Sequence, residues 1–150
     1  MKKKGFWFYG LSGSGKSFAT SYLKKRIKNG FIIDGDVVRK YISFDLKYNL
    51  KDREIQINRV LGLAKLALIS KLVPIISTVY LNSTTSKKAS KIGIKIIKIE
   101  RNMFKIFKSH PTYKNKKNVV GRDIKYKNIK SKVIFNDTRK KFCLKLKKLI

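Results

Sequence analysis

Acidic residues are scarce in this chain. Eight of its 150 residues are Asp or Glu, against 38 Lys or Arg, and the formal charge at pH 7 is +30. Each carboxylate therefore stands out as a candidate for metal or proton chemistry. Cysteine is represented once, by Cys143, which excludes an internal disulfide and any Cys/His metal spacing; the simplest compartment is the cytoplasm. The single histidine, His110, leaves no Ser-His-Asp pattern. No apolar run approaches the roughly 18 residues of a membrane span. The start, Met1-Lys-Lys-Lys-Gly5, resembles the basic end of a signal peptide, but the apolar stretch Phe6–Tyr9 is too short to complete one. Arginine is scarce too, at 7 of the 38 cations, and the lysines run from Lys2 to Lys148 without forming a block. Readers of bases and phosphates lean on arginine's planar fork. A bias toward Lys and Ile explains the charge as well as a polyanionic partner does. The expectation is weak, salt-sensitive attraction to small anions and no specific nucleic-acid recognition.

What is present begins with a hydrophobic content of 43% in 150 residues, enough for one domain with a real core. The chain is organised around Phe6-Trp-Phe-Tyr-Gly-Leu-Ser-Gly-Ser-Gly-Lys-Ser17, in which Gly10, Gly15, Lys16 and Ser17 fit G-x-x-x-x-G-K-[ST], the phosphate-binding loop. Polyphosphates need many donors converging on a small volume. The backbone amides of Gly10, Leu11, Ser12, Gly13, Ser14, Gly15, Lys16 and Ser17 supply them, and the glycines allow the turn. The helix that follows adds its free amides and the positive end of its dipole. Lys16 would reach the β- and γ-phosphates of ATP, and the Ser17 hydroxyl would ligate Mg²⁺.

The rest reads as alternating strands and helices. Strands are expected at Phe6–Tyr9, Phe31–Asp34, Ile75–Tyr80, Ile94–Ile99 and Val133–Phe135, with Pro74 at the entry to the third. Helices are expected at Ser17–Lys28, with Phe18, Tyr22, Leu23 and Ile27 inward, and in a short piece at Val37–Ile42. A long helix is expected at about Lys51–Lys71, with Ile57, Val60, Leu61, Ala64, Ala67 and Leu68 inward. Asn82–Lys91 reads as a loop with a partial helix, and Arg101–Lys108 as helical. His110–Lys132 reads as the most mobile segment, and 101–130 as lid-like. Asp137 or Thr138 would cap a last helix to about Leu149, with Phe142, Leu144, Leu146 and Leu149 as core contacts. This pattern predicts an α/β protein of three layers, a five-stranded parallel sheet between helices, with ligands beyond the carboxyl ends of the strands.

Two further groups carry chemistry. Asp34-Gly35-Asp36 with Arg39 stands at the end of the second strand, while the third strand ends in Thr78-Val79-Tyr80 without an acid. The acid serving the metal and any base for an acceptor hydroxyl therefore come from Asp34 and Asp36; the alternative is a solvated Asp-Gly turn. On the long helix Asp52, Gln56 and Arg59 share one face near Arg53, or they are an ordinary charged first turn.

Together, Gly10–Ser17, Asp34-Gly-Asp-Val-Val-Arg39, Asp52-Arg53 and Arg59 resemble the adenylylsulfate kinase family, kinases with a phosphate-binding loop that move the γ-phosphoryl of ATP to the 3′-hydroxyl of adenylyl sulfate in sulfate assimilation. Asn118–Tyr126 is similar to the family's G-x-D-x-P-Y segment, and Val133–Thr138 to its final strand. The resemblance implies ATP and Mg²⁺ held by Lys16 and Ser17, with Asp34 at the metal and Asp36 toward the acceptor. It implies a nucleotide-linked anionic acceptor held by Asp36, Arg39, Arg53, Gln56, Arg59 and Tyr113. Departures fall on the acceptor side and lid: Gln56 for Asn, Asn58 for Arg, Tyr80-Leu-Asn82 for I-S-P, and Phe107-Lys-Ser-His-Pro-Thr-Tyr113 for R-D-x-K-G-L-Y. Kinases of cytidine diphosphoramidate or of sugars such as gluconate, which share parts of this pattern, stand as alternatives. So do an inactive nucleotide-binding module and a polynucleotide kinase. A homodimer is left open.

Overall fold

The computed structural model describes residues 4–125 and 129–150. Tyr126 lies outside the described residues. Among them, five parallel strands form one sheet in the order β2-β3-β1-β4-β5: β1 Gly5–Tyr9, β2 Gly30–Asp34, β3 Val73–Thr78, β4 Ile94–Glu100 and β5 Lys132–Phe135. The central strand is apolar because it is covered on both faces. Side chains alternate across it. Phe6 and Phe8 join a core with Ala19 and Leu23 of α1 (Lys16–Lys24) and Phe142 and Leu146 of α7 (Arg139–Lys147). Trp7 and Tyr9 join the opposite core with Ile57, Val60, Leu61 and Ala64 of α3 (Leu50–Ile69) and Ala89 of α4 (Ser83–Lys91). Trp7 also donates its indole N–H to Thr78 Oγ1 at 2.8 Å, so the burial of that polar edge is compensated.

The expected elements are present, with shifted ends. α1 stops at Lys24; Arg26 and Ile27 then bond back to Leu23 O, and Asn29 takes φ +59° to start β2. α2 covers Gly35–Tyr41 and begins two residues earlier than expected, because the Asp34 carboxylate caps it by accepting from the amides of Asp36 and Val37. Ser83–Lys91 is a full helix, not a loop with a partial one. Asn82 caps it through Thr85 N, and Thr85, Ser86 and Ala89 are small enough to pack closely. Of the two proposed caps of α7, Thr138 accepts from Lys141 N, while Asp137 pairs with Lys145 at 3.2 Å. Leu144 is exposed, because the inward face of this short helix passes through Phe142 and Leu146. α5 (Met103–Ser109) occupies the stretch expected to be helical, and in the segment expected to be mobile α6 (Thr112–Asn115) is followed by a turn closed by a Val120–Ile124 bridge.

The chain leaves β1 toward α1 on one face, whereas β3 leads into α4, which packs with the other core. The divergence opens a crevice at the strands' carboxyl ends, where β1, β2 and β3 deliver their loops.

Candidate active site

That crevice is a cavity of about 810 Å³. One wall is the loop after β1, contributing Ser12, Gly13, Lys16 and Ser17. Three successive carbonyls of this loop are tied to side chains that do not line the cavity. Ser12 O accepts from the Tyr113 hydroxyl at 3.2 Å, Gly13 O from Arg101 Nη1 at 3.2 Å, and Ser14 O from Asn136 Nδ2 at 2.8 Å. In a trans peptide the C=O and the next N–H oppose each other, so these ties turn the amides of Gly13, Ser14 and Gly15 the other way. The Ser14 amide closes a turn onto Leu11 O at 3.1 Å. Those of Gly13 and Gly15 make no hydrogen bond among the described residues and join the free amides that open α1. The result is a nest of donors of the kind that holds anions.

Lys16 is 9% exposed and donates to Leu11 O at 2.9 Å. Burial lowers its pKa to about 8, against the opposing pull of Asp36 and Asp34. The two aspartates face it from the end of β2. Asp34 is held on both oxygens: Oδ1 by the α2 amides at 2.9 and 3.3 Å, Oδ2 by the Ser77 hydroxyl at 2.7 Å. Asp36, in the first turn of α2 and exposed, has a carboxylate with no hydrogen bond among the described residues.

The far wall is aromatic and basic. Tyr48 lies beneath two guanidiniums, Arg39 at 4.5 Å and Arg53 at 5.5 Å from its ring centre. Both arginines also fix the backbone: Arg39 donates to Leu46 O and Lys47 O, Arg53 to Tyr48 O and Asn118 O. Phe44 and Tyr80 complete this side. Gln56 is buried at the wall, donating to Gly35 O at 2.9 Å while its own Oε1 has no partner among the described residues. Lys40, His110, Lys116 and Lys117 also line the cavity.

The adenylylsulphate kinase family model matches residues 2–136. The chain belongs to the adenylylsulphate kinase family. It is 38% identical over 77 residues to the adenylyl-sulfate kinase of Buchnera aphidicola from Acyrthosiphon pisum, covering 49% of this chain and 37% of that one. It is 30% identical over 109 residues to the counterpart from the Schizaphis graminum strain, covering 70% and 49%. The matches thus span half or less of the length of these curated relatives. In fold, the chain superposes on the APS kinase CysC of Mycobacterium tuberculosis, solved in complex with AMPPNP and APS, with a TM-score of 0.82 at 20% identity over 99% of this chain and 95% of that one.

Of the positions that the family resemblance marks, the fold brings Ser12, Gly13, Lys16, Ser17, Asp34, Asp36, Arg39, Arg53 and Gln56 to one cavity. Two it does not. Arg59 lies outside, bound to Asp45 through both nitrogens at 2.6 and 2.8 Å. The cavity face of α3 runs through Arg53, Gln56 and Ile57, and at about 100° per residue Arg59 sits roughly a third of a turn away from Arg53. Asp52 belongs to the same outer side and accepts from Lys47 N and Asn49 Nδ2. Tyr113 is buried beneath the loop after β1 and does not line the cavity. Sequence reasoning missed Phe44 and Tyr48 on the aromatic wall of the cavity and Arg101 and Asn136 behind the loop. The signal for the first pair was two aromatics in a polar connection. For the second pair, only the fold joins residues so distant in sequence.

Proposed function

We propose that this chain phosphorylates a hydroxyl of a nucleotide-linked anion, adenylyl sulfate at its 3′ position, using ATP. The observation that carries the reading is the juxtaposition, in one cavity, of a loop with outward-tied carbonyls, two aspartates on its far lip, and an aromatic-guanidinium wall. The amides of Gly13, Gly15, Lys16 and Ser17 hold the phosphates, and the Lys16 ammonium meets the charge that develops on transfer. Asp34, locked as a helix cap, keeps lone pairs for a metal. Asp36, unencumbered, orients the acceptor hydroxyl and takes its proton.

Magnesium fits these residues. The donors are hard oxygens, Ser17 and Asp34, and no cluster of three acidic, His or Cys ligands exists among the described residues, which suits an ion held largely by phosphates and water. When bound, it neutralises charge across the β- and γ-phosphates. On the acceptor side, Tyr48 offers a face for a base, Arg39 and Arg53 an anion-binding pair, and Gln56 Oε1 a buried acceptor awaiting a donor. The segment 101–125 brings His110, Lys116 and Lys117 to the cavity lining and serves as a lid.

An ATP-consumption assay over adenylyl sulfate, cytidine diphosphoramidate and gluconate tests the reading. Adenylyl sulfate should give the highest kcat/KM. Turnover with another acceptor alone would reassign the substrate, and none with any would leave a nucleotide-binding module.

A further inference from the structure

We infer that Asn136 is a positioning residue that aims an amide of the phosphate loop; the inference rests on the reading that this loop holds the nucleotide's phosphates. Asn136 follows β5, and its own N–H donates to Glu100 O at 2.7 Å, so the sheet fixes its backbone. Its Nδ2 donates to Ser14 O at 2.8 Å. The peptide between Ser14 and Gly15 is planar and trans, so pinning the oxygen on one side presents the Gly15 N–H on the other. That amide has no hydrogen bond among the described residues. The fit is mutual: a Cβ on residue 15 would lie 2.5 Å from Asn136 Nδ2, and Gly15 sits at φ +107°, where side chains are rarely accommodated. The glycine and the asparagine therefore act as a pair. One vacates the space that the other occupies to set the peptide's orientation.

A donor is required here, and Asp at 136, equal in size, would set a carboxylate against the Ser14 carbonyl. A merely structural tie between β5 and α1 would affect every ligand alike. An amide-aiming role affects only ligands whose β-phosphate reaches the loop. The test is Asn136→Asp, with Asn136→Ala scored in the same way should the first not fold. Binding of AMP, ADP and AMPPNP is measured by calorimetry or competition, and thermal melting in parallel. The expected result is a loss of roughly 10- to 100-fold for ADP and AMPPNP, the scale of one charge-assisted hydrogen bond, with AMP within about twofold. Equal losses for all three nucleotides, or no loss while the unmodified chain binds normally, overturns the inference. If the unmodified chain binds no nucleotide, the phosphate-loop reading itself falls and carries this one with it.

Discussion

The Ser77 hydroxyl donates to Asp34 Oδ2 at 2.7 Å, tying the end of β3 to the end of β2 directly under α2. With Oδ1 occupied by the α2 amides, Asp34 is a structural cap as well as a cavity-lining residue, whereas Asp36 has no such duty. The two should separate on mutation. Asp34→Ala should cost about 1–2 kcal/mol of stability through the lost cap. Asp36→Asn should leave stability within about 0.5 kcal/mol while lowering kcat by roughly 10²–10⁴. Denaturant melts and steady-state rates read the two quantities independently.

Lys16 predicts a pH dependence whose sign follows from burial. Its pKa falls from 10.5 to about 8 on folding. Between those values the unfolded chain binds more protons, so this residue's contribution to stability rises with pH through that window and is least favourable below it. Lys16→Met should therefore be more stable than the parent at pH 7, on the order of 2–3 kcal/mol, with the gap closing toward pH 10. Thermal melts across that range check it.

The same proton should govern nucleotide binding. Phosphates favour the ammonium, so AMPPNP affinity should fall about tenfold for each pH unit above pH 8, with proton uptake on binding near pH 8. Calorimetry in buffers of different ionisation enthalpy measures that uptake. Lys16→Met should abolish both effects.

Tyr48 should separate the two substrates. Tyr48→Ala removes the ring shared by Arg39 and Arg53 and should raise KM for the acceptor by roughly 5- to 100-fold, the scale of one base stacking contact, with KM for ATP little changed. Tyr48→Phe should be near neutral. Initial rates with each substrate varied in turn show the split.

Arg59 is the contrasting case. Being paired with Asp45 at the surface, Arg59→Ala should leave both KM values within about twofold, while Arg53→Ala should raise that of the acceptor.

Local chemistry was legible in the sequence. The apolar run of β1, the glycine pattern at Gly10–Ser17 and the Asp34-Gly-Asp36 turn each declare themselves within a dozen residues, and the parallel sheet follows from their alternation with helices. What the sequence hid was rotation and distance. Arg59 and Gln56 look like neighbours on a helical wheel, yet burial selected the face through Arg53 and Ile57 and turned Arg59 to Asp45. Tyr113 and Asn136 reach the phosphate loop across 101 and 122 residues, a closure that only the packed sheet specifies. The helix at Ser83–Lys91 was obscured because Ser and Thr weaken local helical propensity; the Asn82 cap and burial against α3 and β4 restore it.

Transfer of label from γ-³²P-ATP, with adenylyl sulfate as acceptor, measures the central claim most directly. Label should appear as a 3′-phosphate on adenylyl sulfate, and Lys16→Met and Asp36→Asn should each reduce it by about 10² or more. Label released only as inorganic phosphate, or transferred equally by both variants, would contradict the account.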